Sequence, residues 1–248
     1  MRVLLLGGTT EATALAHAFA DKGIDAVFSY AGRTANPIEQ PLPTRLGGYG
    51  GAKGLANYVI DAQITHIVDA THPFAIQISR NAVEACALTD TPLMAHERPA
   101  WRAQPGDTWL HVADTQEAVA ALPAAPARIF LAIGKQTLPA FATRPDHFYL
   151  LRLVDAPDAA LPMPNAEVVL DRGPFTLESD MELMRTHAIT HMVAKNSGGS
   201  GALAKLEAAR RLQLPVILIA RPAIADRPMA RSIADVLEWL DHSARLGV

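Results

Sequence analysis

A single cysteine, Cys86, stands in 248 residues. No internal disulfide can form, and the apolar stretch around it makes a packing role in a reducing compartment the expectation. Aromatic residues make up only 6% of the chain. No apolar run approaches the roughly 18 residues that a membrane-crossing helix needs. The basic excess of a nucleic-acid or anionic-membrane binder is also missing, because 22 Lys and Arg against 25 Asp and Glu leave a net charge of -3. Any anion must therefore be caught by a local cluster. The opening "VLLL" is too short for a signal-peptide core and meets glycines and an acid at once, so a soluble cytoplasmic protein is expected. There is no Cys/His metal pattern, no Ser-His-Asp constellation and no Walker sequence, and no metal is expected. Repeats and low-complexity tracts are likewise undetectable along the chain.

What is present is half hydrophobic, ample for one large core or two smaller ones. Short apolar runs at 2–6, 26–30, 66–69, 129–133, 148–154, 191–194 and 216–220 read as buried parallel strands. Longer helical patterns separate them, and in the stretch from Ala75 to Ala87 small residues recur at helical spacing, which lets a helix lie close on a sheet. The pattern predicts an α/β protein of two Rossmann-like domains with mainly parallel sheets. Residues 91–109 are irregular, and "DTQE" then offers an N-cap with a glutamate three positions on. The expected boundary is near residue 112, giving domains 1–112 and 113–248 with a small-molecule cleft between them.

The stretch "LLLGGTTEA" turns a strand directly into a helix through Gly7, Gly8, Thr9 and Thr10. Exposed N–H groups at a helix N-terminus make a phosphate cradle, and the two threonine hydroxyls are expected to add donors. The match to G-x-G-x-x-G/A is partial, because Thr9 stands at the second glycine and Ala12 at the last position. Any strand-to-helix turn also favours glycine and threonine. Where an NAD site carries an acid, "FSYAGRT" supplies Ser29 and Arg33 instead, the hydroxyl and guanidinium a 2′-phosphate needs. NADPH is thus the expected cofactor. Gly47 and Gly48 in "RLGGYGG" either fold over it or simply turn the chain.

"DATHPFA" repeats the logic after another strand, setting Thr71 and His72 at the ligand-binding edge. His72 either donates a hydrogen bond or proton to a bound molecule, or fixes the loop beside Pro73. In the second half "KNSGGSG" forms another cradle of Lys195, Asn196, Ser197, Gly198 and Gly199 at a helix start. Arg98, Trp101, Lys135, Gln136 and Arg152 sit at predicted strand ends or in the linker. Facing one cleft they suit a substrate with several carboxylates, and singly each reads as a surface group.

Taken in order, "LLLGGTTEA", "SYAGR", "RLGG", "DATHPFA", "ERPAW", "IGKQ" and the stretch from "KNSGGSG" to "LIARP" resemble the precorrin-6A reductases of cobalamin biosynthesis. That resemblance implies hydride transfer from NADPH to one double bond of a ring-contracted macrocycle, giving precorrin-6B. It implies the nucleotide on Gly7, Gly8, Thr9 and Thr10, with Arg33 by the 2′-phosphate and Thr71-His72 nearby, and the tetrapyrrole near "KNSGG". His72 and Lys195 are the candidate proton donors. No nucleic-acid or membrane partner is expected, and the chain is expected as a monomer or small homo-oligomer. The rival readings are another NADP-dependent reductase of a polyanion and a binding protein without turnover. Tyr49 and Lys53 have the Tyr-x-x-x-Lys spacing of short-chain dehydrogenases, but in a glycine-rich loop.

Overall fold

The alternation of apolar strands and helices is realised in a computed structural model that describes residues 1–32, 37–157, 159–171, 173 and 175–246. In chain order the first elements are β1 (Val3–Leu6), α1 (Thr10–Asp21), β2 (Ala26–Tyr30), β3 (Thr44–Leu46), α2 (Ala52–Asp61), β4 (His66–Asp69), α3 (Ile76–Thr89) and β5 (Leu93–His96). The next are β6 (Trp109–Val112), α4 (Thr115–Ala120), β7 (Arg128–Ala132), a 3-10 helix at Lys135–Thr143, β8 (Phe148–Leu153) and β9 (Ala166–Leu170). Then follow α5 (Leu177–Thr186), β10 (His191–Lys195), α6 (Ala204–Arg211), β11 (Val216–Ile219), β12 (Met229–Ala230) and α7 (Ile233–Leu246).

Two compact units result, one made of Met1–Pro99 with Ala223–Val248 and the other of Ala100–Pro222. In unit 1 six parallel strands run β12-β5-β4-β1-β2-β3. Side chains of β1 alternate between faces, as strand geometry requires. Val3 and Leu5 join Phe28, Ala16 and Phe19 with Val236 and Leu240 of α7, whereas Leu4 and Leu6 join Leu55, Val59, Ala82 and Cys86 from α2 and α3. Helices thus cover both faces, which is why β1 is apolar throughout rather than alternating. The small residues of α3 do bury, with Ser79, Ala82, Ala85 and Cys86 turned inward.

Unit 2 repeats the order with its own strands, β6-β11-β10-β7-β8-β9, again all parallel. Phe130, Leu150, Met192 and Leu218 pack beneath Met184 of α5 and Leu206, Ala208 and Ala209 of α6. The expected cap of α4 is present, with Asp114 accepting the N–H groups of Gln116 and Glu117 at 2.8 and 2.9 Å. In unit 1 strands β1 to β5 follow one another and the sixth position is filled from beyond unit 2, whereas in unit 2 β7 to β11 follow one another and the sixth position is taken by β6, which precedes them. Strand β6 follows β5 in the chain yet pairs with β11, and β12 follows β11 yet pairs with β5. The two sheets have exchanged sixth strands.

That exchange corrects the expected domain ranges. The chain leaves unit 1 at residue 99 rather than near 112, and Ala223–Val248 returns to unit 1 instead of ending the second domain. A repeat is present after all, as topology without sequence similarity. No described helix is long and apolar enough to cross a membrane.

Burial, with the nearby Asp69 carboxylate, pushes the Cys86 thiol up to about 12. Roughly one thiol in ten thousand is then ionised at pH 8, and the side chain is nearly closed to solvent. The folded protein is expected to resist a disulfide reagent for hours at pH 8 and to react stoichiometrically in denaturant. A fast native reaction counts against this burial.

Candidate functional site

In an open parallel sheet, ligands bind at the carboxyl edge where the strand order reverses. In unit 1 that point lies between β1 and β4, and in unit 2 between β7 and β10. The two cradles read from the sequence fall on these two points.

The β1 turn is held to β2 by the Gly7 N–H, which donates to Ser29 O at 3.0 Å. A Cβ on Gly7 would lie 2.1 Å from Phe28 Cζ, so the turn passes so close over that ring that any side chain there must displace it. Gly8 turns it with φ of +115°, and a Cβ there would meet nothing within 4 Å. The cradle is therefore open on its outer side. Thr9 caps α1, its Oγ1 accepting Ala12 N–H at 3.1 Å and donating to Ala70 O at 2.8 Å. Its hydroxyl proton thus ties the β1 turn to the β4 turn and is not a phosphate donor, a correction to the expectation. Thr10 donates to Glu11 at 3.0 Å, so both threonine hydroxyls of the turn are engaged within the protein.

Arg98, expected as a substrate ligand, lies in unit 1 and pairs with Glu11 at 2.6 Å. Burial raises the Glu11 carboxyl, but its own backbone N–H and Arg98 outweigh this and hold it below the usual carboxylate range. At the β4 turn Asp69 accepts the N–H and hydroxyl of Thr71 at 3.1 and 2.6 Å. Its second oxygen stands 3.8 Å from Arg227, which also meets Glu97 at 2.5 Å. His72 Nδ1 accepts Phe74 N–H at 3.2 Å, so the ring proton sits on Nε2.

At the ends of β2 and β3 the expected Ser29 is buried within the sheet, and its hydroxyl accepts that of Tyr49 at 2.7 Å. Burial raises the Tyr49 phenol against the opposing pull of Ser29 and Arg45. Arg33 lies outside the described residues. Gly47 has φ of +103° and donates to Tyr30 O at 3.0 Å, joining the β3 loop to β2. Arg45 donates to Gly47 O and, at 2.9 Å, to Gly48 O, with its guanidinium carbon 3.8 Å from the centre of the Tyr49 ring. Arg45 is a functional candidate that the glycines of "RLGG" overshadow in the sequence, where its signal is a tyrosine four positions on.

In unit 2 the β10 turn carries Lys195 to Gly199. Asn196 is buried and clasps Trp101, accepting its N–H at 2.8 Å and donating to its carbonyl at 3.1 Å. The Trp101 indole donates to Gly199 O at 2.7 Å, and Arg221 donates to the carbonyls of Asn196 and Ser197, both at 3.0 Å. Asn196 and Trp101 are thus the frame of the loop. With those carbonyls engaged and Gly198 and Gly199 at φ of +68° and +74°, the turn is shaped rather than slack. Lys135 and Gln136 open the 3-10 helix at the β7 turn, across the strand reversal from Lys195, and Lys135 donates to Ala156 O at 2.8 Å. Arg152 is not at the edge as a spare cation. It is nine-tenths buried, paired with the buried Asp180 and stacked 3.5 Å over the Phe175 ring. Among the described residues no group of three His, Cys, Asp or Glu is gathered as for a metal.

The family described as Precorrin-6x reductase CbiJ/CobK matches residues 2–241. A precorrin-6A reductase of Rhodobacter capsulatus is 59% identical over 244 residues, 98% of this chain and 97% of that protein. One from Sinorhizobium sp. is 46% identical over 242 residues, covering 97% of this chain and 93% of its own. A solved structure titled CobK precorrin-6A reductase superposes with a TM-score of 0.95 at 58% identity, over 98% of this chain and 96% of that one.

Proposed function

Because the chain belongs to the precorrin-6x reductase family, we propose that it reduces precorrin-6A to precorrin-6B in cobalamin biosynthesis with NADPH as the hydride source. One observation carries the reading: a glycine turn packed closely on the Phe28 ring on its inner side and open outward, at the strand reversal of a sheet ordered like a dinucleotide-binding domain. When bound, NADPH supplies a hydride from nicotinamide C4.

The chain's own part is to bind and orient. The backbone of Gly7, Gly8, Thr9 and Thr10 takes the pyrophosphate, with Gly47, Gly48 and Arg33 toward the adenosine and Thr71-His72 beside the dinucleotide. Lys135, Gln136, Lys195 and the 196–199 turn take the acetate and propionate groups of the tetrapyrrole. Arg98 and Arg152 drop out of that set, because each is matched by a carboxylate. The proton that follows the hydride comes from a group able to release one. His72 Nε2–H and Lys195 Nζ are the two candidates.

The test is anaerobic mixing of the protein with precorrin-6A and NADPH, then with NADH. Oxidation of NADPH with a gain of two hydrogens in the macrocycle mass, slower with NADH, is the expected result. Both ligands bound with nothing oxidised returns the binding-protein reading. If alanine at His72 and at Lys195 each leaves the single-turnover rate unchanged, the proton comes from solvent or from a substrate carboxyl.

A further inference from the structure

The carboxyl edge of unit 1 holds a cation, Arg45, that pairs with no carboxylate among the described residues. Arg45 lies opposite Ser29 in the β2–β3 register, and its guanidinium is fixed on three sides: Gly47 O, Gly48 O and the Tyr49 ring, with the Tyr58 ring 5.2 Å away. Tyr49 is itself anchored to Ser29, so the stacking platform is bolted to the sheet. Among the described residues no carboxylate pairs with Arg45, and two of the five N–H bonds a guanidinium carries are engaged there, both by neutral carbonyls. Stacking engages the face of the guanidinium and leaves its donors in the plane of the rim, the geometry that grips an oxyanion through two parallel bonds.

Other arginines of this unit are built differently. Arg98 and Arg227 each meet glutamate. Arg45 is held instead by two carbonyls and an aromatic face, and a charge held rigid in this way is complementary to an incoming anion. The loops after β2 and β3 touch, a Cβ on Gly32 meeting the Gly47 backbone at 3.4 Å. In this strand order the adenosine ribose lies over the end of β2, beside that contact.

We propose that Arg45 is a specificity residue that binds the phosphate on the adenosine 2′ position and so selects NADPH over NADH. The inference rests on the reading of unit 1 as the dinucleotide site. It assigns to the selection a guanidinium on β3, in addition to the arginine at position 33 that the sequence offers.

The test uses the full chain and calorimetric binding of adenosine 2′,5′-bisphosphate and 5′-AMP, so it does not depend on turnover. The wild type is expected to prefer the bisphosphate. Arg45→Gln is expected to weaken the bisphosphate on the order of 10- to 100-fold while 5′-AMP stays within about threefold. In kinetics the KM for NADPH rises with kcat little changed, and the NADH parameters stay put. Arg45→Lys, which keeps the charge without the fork, falls between. Equal weakening of both probes overturns the proposal, since Arg45 then only shapes the loop. An unchanged ratio overturns it as well, and Arg33→Gln then identifies the remaining selector. A wild type that binds the two probes equally removes the premise of NADPH selection itself.

Discussion

Replacing Arg227 with methionine is expected to destabilise the protein by about 3–5 kcal/mol, the usual range for a buried charge stripped of its partner. The side chain is 6% exposed and touches Glu97 while facing Asp69, whose side chain is 1% exposed. Without the guanidinium the buried Asp69 carboxylate loses the cation it faces, and Glu97 loses its contact with it. The damage is directional, because Asp69 holds the Thr71 N–H and hydroxyl and so shapes the turn that carries His72. Cofactor KM is expected to rise together with the loss of stability. Denaturant unfolding checks the first effect and steady-state titration the second. Adding Asp69→Asn to the Arg227→Met variant should recover part of the loss, since the buried charge that faced the guanidinium disappears. A variant within 1 kcal/mol of wild type would mean that solvent reaches this cluster, contrary to the burial described.

Gly54→Ala is expected to be worse than Gly7→Ala, although both glycines sit against an obstacle. A Cβ on Gly54 would lie 1.7 Å from Tyr49 O, a main-chain atom, whereas one on Gly7 meets the Phe28 ring at 2.1 Å. A ring can swing in its pocket at a cost of about 1–3 kcal/mol, but a carbonyl moves only with its loop. Gly54→Ala must therefore displace Tyr49, and with it the platform under Arg45. The expected result is a loss of about 3 kcal/mol or more together with loss of the preference for adenosine 2′,5′-bisphosphate over 5′-AMP. Gly7→Ala should be rescued in part by Phe28→Leu, which shortens the obstacle, and nothing comparable should rescue Gly54→Ala. Equal melting temperatures for the two single variants would show that the Tyr49 loop yields as easily as a side chain.

Central strands were legible because both of their faces are buried and their letters are apolar throughout. Strands β1, β2, β4, β7, β8, β10 and β11 fall where the runs of leucine, isoleucine and valine put them. Strands at or toward the sheet edges were not. Three-residue β3 is largely exposed, two-residue β12 is too short to carry a period, and β5 hides in a stretch rich in proline and charge. Turns at the carboxyl edge were legible for a different reason. A strand that breaks into glycine, threonine or serine and starts a helix is a local event, complete within ten residues.

Pairings over long separations stayed hidden. Glu11 with Arg98, Asp69 with Arg227, Trp101 with Asn196 and Arg152 with Asp180 each join distant parts of the chain. No periodicity announces them, and they decide which polar residues are available. Ser29 and Thr9 were read as free hydroxyls for the same reason, their partners Tyr49 and Ala70 being known only from the fold.

The exchanged strands also set an order of completion during synthesis. Residues 100–222 form an uninterrupted unit, so its sheet can close as soon as β11 has left the ribosome. The half that is made first closes last. Until residues 229–230 and α7 emerge, β5 is an open edge, and the face that receives Val236 and Leu240 has no cover. A nascent chain halted in that interval is finished at its newer end and sticky at its older one. Quality control acting on exposed apolar surface would thus read the docking of α7 as the signal that the first unit has closed.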